Sequence, residues 1–315
     1  MRGALIVGIS HYSFGVLPGC IEDAKELAAT LSKDEFKKRN FDIDLLVSEN
    51  EEITQKSLRK RIERLFSTNS EVALFYFSGH GTERNLGGYI VTQDAEKYNE
   101  GISVYEILQL ANESQARDKI IILDCCNSGH MGNLPIIRND LAVLSKGVSI
   151  ITATNAKQNS TVTSSGSLFT LLLIQALQGG AADILGKVTI PGVYNYLDQA
   201  LGFFHIRPLF KSHVESLVSL RDCKPAVDLE VLQKIIEYFH TDDYLFPLDP
   251  EFEPTFDGHD IEKVRVLSHL QCYRDARLLL PTEEIHMYDA VMKSKNCCLT
   301  SQGKYYWLLV KNGLI

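Results

Sequence analysis

The chain has 315 residues, of which 45% are hydrophobic and 23% charged, and this composition excludes a disordered or fibrous protein. The length exceeds that of one compact core and favours two domains. The net charge of −8 argues against nucleic acid or an anionic membrane as the main partner, because both are bound by clustered Lys and Arg.

The stretch from Met1 to Ile9 has one positive charge and an apolar run that is too short for a signal peptide. No other stretch approaches the roughly 18 apolar residues of a membrane span. We therefore expect a cytoplasmic protein with no membrane partner. The seven Cys residues include two adjacent pairs and no C-x-x-C, which predicts reduced thiols and neither a disulfide framework nor a zinc site.

Short runs rich in Ile, Val and Leu alternate with amphipathic stretches over the first two thirds of the chain. The runs predict strands at 4–9, 42–47, 72–77, 119–124 and 148–153. The amphipathic stretches predict helices at 21–32, 52–66, 102–111 and 167–178. This alternation is typical of an α/β fold in which helices cover a parallel sheet.

The pattern changes after the segment Arg207-Pro208-Leu209-Phe210. Residues 222–260 are rich in Asp, Glu, Pro and Phe, and helical runs follow near 261–279 and 283–294. Together with the apolar end of the chain, these runs predict a small helical or winged-helix module. We therefore expect two domains, 1–221 and 222–315, of which the second has 16 acidic against 10 basic residues and is a candidate regulatory domain that binds a partner or ligand.

Two predicted strands end in residues that can carry out chemistry. Strand 72–77 runs into Ser78-Gly79-His80-Gly81, and strand 119–124 ends in Asp124-Cys125-Cys126. Ligands bind at the carboxyl ends of the strands in open α/β sheets, and adjacent parallel strands would bring the thiol and the imidazole together. A Cys nucleophile needs such a base and nearby oxyanion donors. The candidate donors are the backbone N–H groups of Gly81 and Cys126.

Each feature alone has a simpler interpretation. A lone Cys after a strand is most often a buried apolar residue, and a lone Gly-His-Gly is most often a turn. The two features together favour a catalytic pair over these simpler interpretations. Cys126 follows His80 by 46 residues, which is close to the spacing of about 50 in caspases.

The segments 76–81 and 124–129 resemble the two catalytic signatures of caspase-like peptidases, and are nearer to metacaspases than to animal caspases. In metacaspases the nucleophile lies two residues after the aspartate, which selects Cys126 over Cys125; Asn127 stands where the family usually has His. The resemblance covers about 1–221, including 17–27, 148–154 and 167–170. It implies a caspase-like three-layer α/β sandwich and a cysteine endopeptidase.

The resemblance also implies a specificity pocket. Four residues match that of metacaspases: Cys20, Asp23, Ser78 and Asp124. Two carboxylates need a cation, so we expect a protein or peptide substrate that is cut after Arg or Lys. Arg is favoured because a guanidinium binds a carboxylate in a bidentate fork. The alternative for Asp23 is that its carboxylate caps the first helix.

Many metacaspases bind calcium through an acidic pair that opens the helix after the His segment. The matching stretch here, 101–106, has no acidic pair. Asp94 and Glu96 are interpreted as solvated loop charges, with remnants of a calcium site as the alternative. We therefore expect no metal or other cofactor. The segment 130–147, which contains Arg138 and Lys146, is a candidate activation loop for self-cleavage, with an uncut surface loop as the alternative.

Two other functions use the same residues differently. A catalytically silent scaffold would keep the fold and bind partners through 222–315. A thiol acyltransferase would use the same dyad but form a new peptide bond.

Overall fold

The structure is a computed structural model that describes residues 1–84, 87–96, 99–126, 143–153, 166–203 and 207–315. Two compact units account for these residues. The first unit comprises residues 1–182 and 187–223, and the second comprises 183–186 and 224–315.

The first unit alternates strands and helices, as the sequence predicts. Its elements are β1 Arg2–Gly8, β2 His11–Tyr12, β3 Gly15–Val16, α1 Cys20–Ser32, β4 Asp42–Val47, α2 Gln55–Ser67, β5 Val72–Arg84, β6 Gly87–Glu96, β7 Asn99–Ser103, α3 Val104–Glu113, β8 Asp118–Cys126, β9 Val148–Thr152, α4 Leu168–Gln175 with a π-helical turn Ala176–Gly180, β10 Lys187–Thr189, α5 Ile190–Gly202, β11 Leu209–His213 and β12 Ser219–Asp222.

One sheet organises this unit, with the strand order β11-β9-β8-β5-β1-β4. The pairs from β4 through β1, β5 and β8 to β9 are parallel, and β11 is antiparallel to β9. Beyond residue 80, β5 continues into an antiparallel pair with β6, which pairs with β7. The structure confirms the predicted mostly parallel α/β sheet.

The two faces of the sheet bury separate cores, because side chains alternate along a strand. Tyr76 of β5 packs in the core beneath α1, α4 and α5. Its neighbour Phe77 packs in the core beneath α2 and α3. Helices on both faces of the sheet give the three layers that the resemblance implies.

Most elements differ from their predicted bounds by a few residues, and two of these differences have clear local reasons. Helix α2 begins at Gln55 rather than 52, because Thr54 and Ser57 form a capping box in which each side chain accepts from the other's backbone N–H, at 3.2 and 3.0 Å. Strand β5 extends past the apolar run to Arg84, because β8 and then β6 supply backbone partners for the glycine-rich segment.

The second unit contains short helices and a small antiparallel sheet. Its elements are α6 Leu229–Gln233, α7 Ile235–Tyr238, β13 Phe246–Pro247, a 3-10 turn Pro250–Phe252, α8 Ile261–Asp275, β14 Leu279–Pro281, α9 Met287–Met292, β15 Asn296–Leu299 and α10 Ser301–Lys311. The sheet order is β13-β15-β14. Trp307 of α10 lies in the core and donates its indole N–H to the Phe239 carbonyl at 2.6 Å. The winged-helix interpretation stays a prediction.

Within the described ranges, every helix is too short or too polar to span a membrane.

Candidate active site

The carboxyl ends of β5 and β8 bring the predicted catalytic residues to neighbouring positions. The parallel register pairs Ser78 with Asp124, Gly79 with Cys125 and His80 with Cys126. Paired backbones in a sheet lie about 4.8 Å apart, so the His80 and Cys126 main chains are next to each other at the sheet edge where ligands bind.

A short hairpin formed by β2 and β3 packs against His80. The His80 ring lies 4.7 Å from the Tyr12 ring and 5.4 Å from the Phe14 ring, centroid to centroid. The His80 backbone N–H donates to the Tyr12 hydroxyl at 2.9 Å. A Cβ at Gly79 would lie 2.6 Å from that hydroxyl oxygen. The glycine before the histidine is therefore what allows Tyr12 to approach the backbone.

The two adjacent cysteines of β8 occupy different positions. Cys125 is buried in the core beneath α2 and α3, and a Cβ at Gly81 would lie 2.9 Å from the Cys125 Cβ. Cys125 is thus a packed core residue. Residue 126 lies two positions after Asp124 along β8, and its backbone is paired with that of His80 on β5. Residues 127–129 lie outside the described residues.

Gly81, one of the two predicted oxyanion donors, follows His80 on β5. It is buried, and its register partner in β6 is Ile90. Its role toward substrate stays a prediction, as does that of the Cys126 backbone N–H.

The four predicted pocket residues come from three elements and are all buried. Cys20 and Asp23 lie on the first turn of α1. Ser78 lies on β5, two residues before His80, and is paired with Asp124 near the end of β8. The Ser78 hydroxyl and the charges of Asp23 and Asp124 act on the Cys20 thiol, and the Asp124 charge acts on Asp23. The structure therefore brings these four side chains together.

The first turns of two helices meet at this pocket. Gly19, before α1, is so close to Gly166, before α4, that an added Cβ would lie 2.7 Å from the Gly166 Cα. The Ser167 backbone N–H donates to both Asp23 oxygens, at 3.1 and 3.3 Å. The N-terminus of a helix stabilises nearby negative charge. The two helix N-termini that meet here therefore favour the placing of two carboxylates in one pocket.

Burial nevertheless makes negative charge costly here. It raises the pKa of Asp23 to about 7, with the Asp124 charge as a further cause and the Ser167 N–H opposing the rise. Burial also raises the pKa of Asp124, against hydroxyl hydrogen bonds from Ser167 and Thr170. Among the described residues, no Lys or Arg forms an ion pair with either carboxylate. The pocket thus holds two carboxyl groups and has no cation of its own in that part of the chain.

Three residues around the site were missed by sequence reasoning as site residues. Thr170 and Tyr76 contact each other beside Asp124, and Tyr12 contacts His80. The sequence could have indicated Thr170, because it is the one polar residue in the apolar run from Leu168 to Ile174. Tyr76 and Tyr12 offer none, because a tyrosine in a strand or hairpin is ordinary.

The described residues contain no group of three His, Cys, Asp or Glu side chains placed to hold a metal ion. Asp94 accepts from the Thr92 hydroxyl at 2.7 Å and from the Gln55 backbone N–H at 2.9 Å. It therefore supports the start of α2. In the candidate activation loop, 130–142 including Arg138 lie outside the described residues, and Lys146 pairs with Glu215 at 2.5 Å.

Comparison with known proteins identifies the class. The caspase domain family matches residues 1–201, which is most of the chain, and the chain belongs to this family of cysteine peptidases, whose substrates are proteins. The structure of protein GSU0716 from Geobacter sulfurreducens is similar, with 15% identity, a TM-score of 0.50, and 71% of this chain and 98% of that chain covered.

Caspase-1 from Spodoptera frugiperda is also similar, with 14% identity, a TM-score of 0.53, and 71% of this chain and 91% of that chain covered. At such identities the likeness concerns the fold. A search among curated proteins finds no significant match.

Proposed function

We propose that this protein is a cysteine endopeptidase in which Cys126 is the nucleophile and His80 is its base. The observation that carries the proposal is the backbone register between β5 and β8, which makes His80 and Cys126 direct partners at the carboxyl edge of the sheet. The two side chains of a dyad must lie within hydrogen-bond reach of each other. Pairing on adjacent strands brings the His80 and Cys126 backbones close together, which such a contact requires. The buried position of Cys125 supports the choice between the two thiols.

The reaction follows from these roles. His80 takes the thiol proton or pairs with the thiolate, and the Cys126 sulfur attacks the carbonyl carbon of the scissile bond. Backbone N–H groups of Gly81 and Cys126 stabilise the oxyanion of the tetrahedral intermediate. His80 then protonates the leaving amine, and water hydrolyses the thioester to release the second product and the free thiol.

The pocket supports cleavage after Arg or Lys. Asp23 and Asp124 lie near each other, buried and without an ion-pair partner among the described residues. A basic substrate side chain would supply the missing charge, and low exposure to water strengthens the attraction. Arg would be preferred to Lys because it offers several donors in a fixed plane, whereas an Asp side chain would be repelled.

The test is cleavage of a peptide library read by mass spectrometry, with wild type, Cys126→Ala, His80→Ala and Cys125→Ala. Wild type and Cys125→Ala are expected to cut after Arg or Lys, and the other two to be inactive because they lack a member of the dyad. Cys125→Ala is the matched control for loss of a thiol in β8.

Three results would contradict the proposal. A wild type that binds but never cuts would be a scaffold, and peptides joined rather than split would indicate an acyltransferase. Loss of activity in Cys125→Ala, with Cys126→Ala active, would reverse the assignment of the nucleophile.

A further inference from the structure

The first turn of α4 does not use its N-cap in the usual way. Ser167 occupies the N-cap position, yet its side chain forms no hydrogen bond to the backbone of the first turn. Its hydroxyl is near enough to Asp124 to favour the ionised form of that carboxylate, and its backbone N–H donates to Asp23. A Ser N-cap normally stabilises its own helix by about 1 kcal/mol, and Ser167 does not make that bond to α4.

Thr170, one turn further along α4, also serves Asp124. It is fully buried in a helix that is otherwise apolar around it. Its hydroxyl donates to Asp124 Oδ2 at 2.7 Å and lies 2.5 Å from the Tyr76 hydroxyl. A threonine hydroxyl has one proton, so while it donates to the carboxylate it must accept from Tyr76. With Asp124 ionised, the chain of hydrogen bonds therefore runs from Tyr76 through Thr170 to Asp124.

The two carboxylates of the pocket are supported unequally. Asp124 accepts from the Thr170 hydroxyl, while Asp23 accepts the Ser167 backbone N–H among the described residues and lies near the negative charges of Glu22 and Glu26. Hydrogen bonds to the charged form of an acid favour ionisation, and like charges oppose it. Asp124 is thus the carboxylate held in place by a dedicated hydroxyl donor.

We propose that Thr170, oriented by Tyr76, is a positioning residue that determines specificity by holding Asp124 as the fixed anion that receives the basic side chain of the substrate. This inference rests on the proposed function, since it assumes cleavage after Arg or Lys. Thr170 itself does not touch substrate; it acts through Asp124. Its hydroxyl prevents the carboxylate from rotating away and favours the charged form that the cation requires.

A purely structural role for Thr170 makes different predictions. If the hydroxyl only satisfies a buried acid, Thr170→Val should lower stability and leave the pH profile and the binding of Arg substrates unchanged. If it positions Asp124, the variant should raise KM more than it lowers kcat. The acidic limb of kcat/KM should also move to higher pH, because loss of a donor disfavours the ionised carboxylate.

The experiment measures kcat and KM on fluorogenic peptides ending in Arg, Lys, Asp or Leu, from pH 5.5 to 9, for wild type, Thr170→Val, Thr170→Ser and Tyr76→Phe. Thr170→Val is expected to raise KM for Arg and Lys about tenfold and to move the acidic limb up by about one pH unit. Thr170→Ser should restore both values because it keeps the hydroxyl. Tyr76→Phe should give a smaller change of the same kind.

The rate of alkylation by iodoacetamide and the melting temperature are recorded for each variant as checks on the thiol and the fold. An unchanged KM and pH profile in Thr170→Val, or a loss confined to kcat, overturns the inference. If Thr170→Val does not fold, Tyr76→Phe decides by the same two readouts. A wild type that prefers Asp or Leu refutes the proposed specificity and this inference with it, and that result is seen in wild type alone.

Discussion

In the first unit the buried side chains include Asp23, Asp124 and Thr170, whereas those described in the second unit are apolar, aromatic or cysteine. Both units bury a core, so a core alone does not require polar groups. Burying a polar group costs free energy unless it finds partners. The first unit therefore buries polar groups at a cost in free energy, whereas the second unit does not. The place where the first unit buries them is informative.

The same contrast appears between the two ends of one strand. At the amino end of β8, Asp118 pairs with Arg117 at 2.9 Å and Lys119 donates to the Lys146 carbonyl at 2.6 Å. At the carboxyl end, Asp124 has hydroxyl donors and a second carboxylate beside it, but no cation among the described residues. The charged groups at the amino end are paired within the chain, whereas under the proposed function the basic side chain of a substrate would supply the cation at the carboxyl end.

The largest expected effect comes from neutralising either carboxylate at the carboxyl end. Asp23→Asn and Asp124→Asn should each lower kcat/KM for Arg peptides by about 30-fold to several thousand-fold, the equivalent of about 2–5 kcal/mol for a desolvated charge pair. The measurement is hydrolysis of fluorogenic peptides ending in Arg, Lys, Asp and Leu.

Asp118→Asn is the control for this experiment, because it removes a buried carboxylate from the paired end of the same strand. It should lower stability and leave KM unchanged. Equal kinetic losses in Asp118→Asn and Asp124→Asn would remove the distinction between the two ends.

The second prediction concerns stability and pH. The pKa of Asp23 is raised to about 7 in the folded protein, against about 3.9 in an unfolded chain. Between these values the folded state binds more protons than the unfolded state, so its stability falls as pH rises from about 4 to about 7. Asp23→Asn removes this loss. It should be more stable than wild type at pH 8, on the order of 2 kcal/mol, while cleaving Arg peptides poorly.

Chemical unfolding at pH 5 and pH 8 measures the difference, with Glu22→Gln as a control on the exposed neighbouring carboxylate. A wild type whose stability rises between these two pH values relative to Asp23→Asn would contradict the sign of the shift.

Much of the fold was predictable because it depends on local patterns. The apolar run 72–77 predicts a buried strand, and the strand ends locate His80 and Cys126 without knowledge of any contact. The Tyr76–Thr170–Asp124 chain was not predictable in the same way, because its three hydroxyl and carboxyl groups come from β5, α4 and β8, and no spacing along the chain encodes their meeting. The β6–β7 meander was missed because its partner is a glycine-rich extension of β5 that carries no apolar alternation.

The third prediction concerns the second unit, which we propose regulates the first. A chain ending at Cys223 should fold and differ severalfold in activity from the full chain. Trp307→Ala in the full chain should change activity in the same direction, because it empties the core of the second unit and removes the indole bond to Phe239. Unchanged activity in both proteins, each shown to be folded, would leave the second unit with a structural role only.

The smallest expected effect is that of a chelator, which should change activity by less than about twofold. A calcium site needs six to eight oxygen ligands in most proteins, and the stretch 101–106 offers a single carboxylate, Glu106, whose oxygens are bound by Arg59 at 2.5 and 3.0 Å. Asp94 is likewise engaged by Thr92 and Gln55. Assays of Arg-peptide hydrolysis with EGTA, and with EGTA followed by excess calcium, test this directly.

Strong inhibition that calcium reverses would refute the prediction and would require ligands from elsewhere in the chain. A mutant such as Glu106→Gln separates the two cases, since it should lose the ion pair with Arg59 and some stability but keep its activity if that carboxylate binds only the guanidinium.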